Sequence, residues 1–429
     1  MSRRLAALGV CVALLMVGAC SSKSSSSSSG GGSGSTAGRP GVTGKTIKVG
    51  GLFSGNNEVG RPYDDTVVGA NAYFEMVNGQ GGVNGYKIAP IPPKDDQSQL
   101  SKQKALAKQL VEQDKVFAVL PVTTNNFAAS SYLGQSGTPT FGWNINKEWS
   151  DYPNLFGEKG STLCFGCPES NVAWFLKQIN TTKIAVLSYA VPQSSSCADG
   201  LAKTAQMYGD QVVYKNTGLV YGFTDVSADA KAIKDNGAQI LFTCMDVNGN
   251  VKVANELQGS GIKVESPEGY DPSVPAKYGS QVEGFYFRSA FVPFESTGVN
   301  APGMTQFLAA MKKVNKQPSE LLLAGWLNAA LLVEGLKLAG KDFTQKKVID
   351  SINSIKDWTA DGILAPVNWT LIDSATGKRQ QPPDGTPDCS AWLQIQGGKF
   401  VPILGQPGQP LACTPRNGSI DSATFLPAK

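Results

Sequence analysis

The segment Pro121-Val122-Thr123-Thr124-Asn125-Asn126 holds the residues best suited by type and spacing to grip a charged group. If a helix follows, its free N–H groups and the Thr123 and Thr124 hydroxyls together hold an anion such as an α-carboxylate. The plainer use of the same residues is a helix cap at Thr124 or Asn125. Other chemistries are excluded outright. The chain has no histidine, so neither a Ser-His-Asp triad nor an H-E-x-x-H metal site is possible. Gly44-Lys45-Thr46 is not a phosphate loop, because Arg39 stands where the required upstream glycine would be. No nucleophile is paired with a base, so the chain is not expected to be an enzyme, and no cofactor or metal is expected. The charge is nearly balanced, 38 basic against 34 acidic residues, without a basic tract. Nucleic acid is therefore not an expected partner.

Thiol chemistry points to the compartment. Arg3 and Arg4 precede an apolar run over residues 5–17, too short to require a permanent span. It reads as a signal peptide over residues 1–19. Val17-Gly18-Ala19-Cys20 resembles a bacterial lipobox, which makes Cys20 the acylated first residue of the mature chain. More than one acyl chain holds a protein firmly at a bilayer, so a membrane partner through the lipid anchor and a place on the outer face of the cytoplasmic membrane are expected. Residues 20–44 form a Ser/Gly-rich tether that buries nothing. Beyond Cys11 and Cys20 the chain carries Cys164, Cys167, Cys197, Cys244, Cys389 and Cys413. An even number in an exported chain suggests disulfides. Cys389 and Cys413 bracket a Gly/Pro-rich C-terminal segment that a bond would clip down. The other four allow three pairings, and a metal site at Cys164-x-x-Cys167 is the alternative.

The elements that must position these groups alternate. Residues 46–53, 86–91, 116–120 and 138–142 read as strands, with helices over 63–77, 99–113 and 126–135. The pattern restarts with a helix at 169–180 and strands at 183–188, 211–214, 239–243 and 263–265. Helices at 304–314, 321–339 and 345–355 follow, then strands around 391–403. The apolar segment 321–339 is interrupted by Asn328, Glu334 and Lys337 and reads as a buried helix. This is an α/β protein of two doubly wound parallel-sheet lobes, with ligands expected outside the carboxyl ends of the strands.

Several segments resemble the type I periplasmic binding proteins, in particular the leucine/isoleucine/valine-binding group with its amide- and urea-binding relatives. These are Ile47-Lys48-Val49-Gly50 leading to Ser54-Gly55, the run from Val77 to Ile88, and Ser266-Pro267-Glu268-Gly269-Tyr270-Asp271. The resemblance spans residues 45–396. It implies three crossovers between lobes, near residues 156–167, 287–294 and 340–343. Lobe 1 is then 45–156 with 292–342, and lobe 2 is 157–291 with 343–429. It also implies a monomeric receptor that delivers a small polar solute, an amino acid or amide, to an ABC permease and its ATPase. A ligand-sensing module of the same fold is the alternative.

The resemblance assigns the ligand carboxylate to Thr123 and Thr124, and the ligand ammonium to Glu268, with Asp271 as understudy. Trp143 and Asn144 match the second ligand segment. Asp246 and Ser54 join the candidates because they sit at expected strand ends. The sequence departs from the pattern at residues 193–200, where Cys197 stands at about the position of an aromatic residue over the ligand. Trp143, Tyr189 and Tyr270 are the candidates to replace that wall.

Overall fold

The computed structural model of the protein describes residues 38–160 and 166–426. The expected signal peptide, Cys20, most of the tether and Cys164 lie outside the described residues. The first half runs β1 (Val42–Thr43), β2 (Thr46–Phe53), α1 (Asp65–Gly79), β3 (Lys87–Pro90), β4 (Lys94–Asp95), α2 (Leu100–Lys108), β5 (Ala118–Thr123), α3 (Ser130–Ser136), β6 (Thr140–Gly142) and β7 (Leu155–Gly157). The central order is β1-β2-β5-β6-β7, with β3 and β4 also pairing β2. All pairings are parallel except the β1 edge. β5 is buried along its whole length, as expected of a strand covered on both faces.

The second half comprises α4 (Ser170–Gln178), β8 (Lys183–Tyr189), α5 (Pro192–Tyr208), β9 (Gln211–Leu219), α6 (Ser227–Asp235), β10 (Ile240–Cys244), α7 (Val247–Glu256), β11 (Lys263–Ser266), α8 (Ser273–Tyr278) and β12 (Tyr286–Ser289). Helices α9 (Pro302–Lys313), α10 (Glu320–Ala339) and α11 (Gln345–Ile352) then precede β13 (Pro387–Gln396), β14 (Lys399–Leu404), β15 (Leu411–Pro415) and β16 (Thr424–Leu426). β9-β8-β10-β11-β12 is parallel. β13 joins β12 antiparallel and extends through β15 to β16, so this sheet is mixed rather than purely parallel. β13 also pairs β14 antiparallel, and of these antiparallel pairs only this one is joined by a short hairpin turn, between Gln396 and Lys399.

Helix α5 has no strong apolar run, yet Ala198, Leu201 and Ala205 are buried at helical spacing and Pro192 opens its first turn. Helix α10 is long and apolar enough to cross a membrane, but residues 321–333 are all buried inside the protein. It packs on α1 with backbones touching: a Cβ on Gly69 would lie 1.8 Å from the Leu322 oxygen, and one on Gly325 1.7 Å from the Thr66 oxygen. Only glycine permits that approach.

The expected return to the second lobe at 340–343 does not occur there. Helix α11 packs on α10, and the Gln345 side chain donates to the Phe117 carbonyl at 2.9 Å. Trp369 meets Phe156 edge-on at 5.5 Å. The chain joins the second sheet only at β13, because the apolar face of α11 and the indoles of Trp358 and Trp369 are buried in the core next to the first sheet.

Candidate functional site

The strand-end loops of both sheets line one cavity of about 360 Å³, within the size range of small-ligand sites. The first half contributes Val59 and Tyr63 beyond β2, Asn125 beyond β5, Trp143, Asn144 and Ile145 beyond β6, and Glu158 and Lys159 beyond β7. Glu320 enters from the start of α10. The second half supplies Tyr189, Gln193, Tyr221, Asp246 and Glu268 from the ends of β8 to β11. A cleft at the carboxyl ends of parallel strands is where α/β sheets bind ligands.

Its charges are already paired. Arg61 Nη1 lies 2.8 Å from Glu268 Oε2, so a first-half loop is tied to a second-half loop by a mostly buried ion pair. Arg61 also reaches Glu320 at 4.0 Å. Lys159 lies 3.3 Å from Glu320 and 3.4 Å from Glu158. Burial pushes the Glu268 carboxyl above the usual carboxylate range, and Arg61 opposes that rise. Glu158 moves up for the same reason, opposed by Lys159. Burial disfavours the Lys159 ammonium, but Glu320 and Glu158 more than offset it and raise its pKa. For the two carboxyls the neighbouring cation opposes the cost of burial, and for Lys159 the neighbouring acids outweigh it.

Aromatic rings face the cavity from both sides. Tyr63 and Trp143 pack at 5.2 Å in the first half, and Tyr189 and Tyr221 at 4.3 Å in the second. The Tyr63 hydroxyl donates to Asn125 Oδ1. Asn125 Nδ2 and Asn144 Oδ1 are buried without a hydrogen-bond partner among the described residues. Two weak contacts cross between the halves, Gln193 Nε2 to the Asn125 carbonyl at 3.5 Å and Asn248 Nδ2 to the Val59 carbonyl at 3.3 Å.

The residues expected from sequence divide accordingly. Trp143, Asn144, Asp246, Glu268 and Tyr189 line the cavity. Ser54, Thr123, Thr124 and Tyr270 do not. Thr66 donates its hydroxyl proton to the Tyr63 carbonyl at 2.7 Å, so in the 2.8 Å pair with Thr66 it is Thr123 that donates. Thr124 donates to the Asn126 carbonyl at 3.1 Å. Helix α3 begins only at Ser130, so the expected helix N-terminus does not stand directly behind the threonines. Ser54 is buried, its amide donating to the Thr123 carbonyl at 3.0 Å. The Tyr270 hydroxyl donates to Glu295 and accepts from the Phe294 amide at 2.7 Å, inside an aromatic cluster. Asp271 accepts from the Ser273 amide at 2.8 Å within its own turn. Asp246 caps α7 through the Asn248 amide at 2.8 Å and accepts the Tyr189 hydroxyl.

Glu268 sits where the sequence places it but is not available to a ligand ammonium as expected, because Arg61 is its counter-charge. Arg61 belongs to a loop at the end of β2, the same position that made Ser54 a candidate; strand-end reasoning applied to the whole loop would have reached it. Nothing local marks Lys159 or Glu320, which meet across 161 residues.

At the far end of the cavity Arg288 pairs with Glu169, and Arg416 reaches Asp388 at 3.9 Å. Behind them burial pushes the Glu265 carboxyl up to about 8, with Arg288 opposing. Cys197 pairs with Cys244, joining the first turns of α5 to the end of β10, and Cys389 pairs with Cys413. The second bond is the one expected; the first was one of several open pairings. No group of ligands able to hold a metal occurs among the described residues.

The family described as "Periplasmic binding protein" matches residues 46–382. No curated protein is similar at a significant level. Similar solved structures include the branched-chain amino acid transporter substrate-binding protein LivJ from Streptococcus pneumoniae in complex with isoleucine, 19% identical with a TM-score of 0.65, covering 83% of this chain and 98% of that one. A fatty acid ABC transporter substrate-binding protein from Thermomonospora curvata is 18% identical with a TM-score of 0.67, covering 91% and 95%. A solute-binding protein of an R. palustris ABC transporter in complex with benzoate is 16% identical with a TM-score of 0.65, covering 89% and 98%. These likenesses establish the fold.

Proposed function

Since this chain belongs to the periplasmic binding protein family, a family of solute receptors rather than enzymes, we propose that it is the extracytoplasmic receptor of an ABC importer. It closes its two halves on a small solute and presents the closed form to a permease and its ATPase. The single observation that carries this reading is the cleft itself, in which strand-end loops of two separate sheets line one cavity and already touch across it through Arg61 and Glu268. A solute that contacts both walls stabilises only the closed arrangement. The fold does not choose the solute, because the similar structures carry isoleucine, benzoate or a fatty-acid assignment on one architecture. The contact residues we assign are Tyr63, Asn125, Trp143, Asn144, Tyr189, Tyr221 and Asp246.

Membrane attachment is part of the proposal and rests on the lipobox-like sequence ending at Cys20. The receptor acts as a monomer held by its acylated N-terminus. Replacing Cys20→Ala should abolish lipid labelling and release the protein from the membrane fraction; continued labelling rejects the anchor. For the receptor role, a thermal-shift screen over amino acids, amides, carboxylates and sugars should reveal a ligand that raises the melting temperature. Small-angle scattering with that ligand should show compaction, and binding without compaction rejects closure across the cleft.

A further inference from the structure

Resting on that receptor reading, we propose that the cleft selects an uncharged, planar aromatic solute carrying an amide-like donor and acceptor, rather than an α-amino acid or another ion. The charged groups lining the cavity already have a counter-charge or hydrogen-bonding partners, although Glu158 Oε1 and Arg416 Nε make no hydrogen bond among the described residues. Among the described residues lining the cavity, every cation is paired with an acid: Lys159 with Glu158 and Glu320, Arg288 with Glu169, and Arg416 with Asp388. Glu268 is matched by Arg61, and Asp246 is occupied by the α7 amides and the Tyr189 hydroxyl. The threonine hydroxyls that would grip a carboxylate are buried and spent on protein oxygens. A charged ligand entering such a site loses its hydration without a counter-charge to replace it.

What remains on offer is aromatic surface and amide chemistry. One ring pair per half, Tyr63 with Trp143 and Tyr189 with Tyr221, lines the same cavity. Ring faces stack well on another planar ring. Asn125 and Asn144 both line the cavity and are more than nine-tenths buried. Among the described residues, Asn125 keeps an unpartnered donor, Nδ2, and Asn144 an unpartnered acceptor, Oδ1. Buried polar atoms in native proteins are normally satisfied, and a carboxamide supplies the complementary acceptor and donor in one rigid plane.

The test is calorimetry with three near-isosteric planar probes that differ in charge and in donor and acceptor pattern: benzoate, which only accepts, benzamide, which does both, and benzamidine, which as a cation only donates. Benzamide should bind at least about tenfold more tightly than either ion, and more tightly than leucine or the non-planar cyclohexanecarboxamide. Tyr221→Ala should weaken benzamide about tenfold while Tyr221→Phe retains it, which separates loss of the ring from loss of the fold. Tighter binding of benzoate, benzamidine or leucine overturns the proposal, as does an unchanged benzamide affinity in Tyr221→Ala. If all three probes are silent while a sugar or another solute raises the melting temperature, the ligand class is wrong and the receptor stands. If no solute in the screen has any effect, both fall.

Discussion

The first half is held together by close helix packing, whereas the second half is held by covalent cross-links and an antiparallel extension. In the first, α1 and α10 meet backbone to backbone at Gly69 and Gly325. The segment that follows α11 is secured by Arg379, whose guanidinium donates to the carbonyls of Leu155 at 3.2 Å, Trp369 at 3.4 Å and Pro153 at 2.9 Å. In the second, Cys197–Cys244 fastens a helix start to a strand end, and Cys389–Cys413 cross-links β13 to β15. Both devices restrain the elements they join, as a cleft closing by hinge motion between rigid bodies would require. The difference teaches where each body is vulnerable: the first to a change of volume, the second to reduction.

The largest effect expected from breaking this comparison is at Gly325. Any side chain there must displace the Thr66 carbonyl, which a Cβ would approach to 1.7 Å, so Gly325→Val should prevent soluble folding. Circular dichroism and size exclusion would show it; a native-like Gly325→Val protein would mean that the two helices are not in backbone contact.

Next in size is Arg379→Ala. It strips several buried carbonyls of their donor and empties a site stacked 4.8 Å from the Phe156 ring centre and 5.1 Å from that of Trp369. A loss of roughly 3 to 5 kcal/mol in denaturant unfolding is expected. Arg379 is only 7% exposed, and that burial lowers its guanidinium to about 9.

Replacing both Cys389→Ser and Cys413→Ser should cost about 3 kcal/mol, given loop entropies of that order for short cross-linked segments. Hydrogen exchange should rise in β13 and β15 and stay unchanged in α1 and α10. Equal loosening of both halves would show that the bond supports the whole chain rather than the second body.

The smallest effect concerns a pH slope. Glu265 is raised by burial from 4.5 to about 8. Between those values the unfolded chain has released this proton while the folded chain retains it, so stability contributed at acid pH is lost as pH rises from about 5 to 8. Glu265→Gln keeps the shape and removes the titration. Its stability should match the parent near pH 5 and fall less steeply towards pH 8; parallel curves would place Glu265 in its charged form throughout.

Much of the molecule is legible in one dimension because the signals are local. β2 spans the residues that its apolar pattern marks, and α10 forms where the long apolar run suggests. Alternating strands and helices suffice for the α/β class; Trp143, Asn144, Asp246 and Glu268, named from strand ends or from the family resemblance, line the cavity, whereas the strand-end candidate Ser54 does not. The mixed character of the second sheet and the late arrival of β13 were not legible, since pairing partners far apart in sequence leave no local periodicity.

The sequence by itself determined which residue types reach the cleft; the tertiary structure alone decided which of them are still unengaged. Thr123 and Thr124 carry the right groups in the right loop, yet their hydroxyls turn to Thr66 and to the Asn126 carbonyl. Glu268 carries the right charge, yet Arg61, 207 residues away, neutralises it. The physical reason is that a polar group's function depends on its unsatisfied valence, and in a dry interior that valence is claimed by whichever partner the fold brings within about 3 Å.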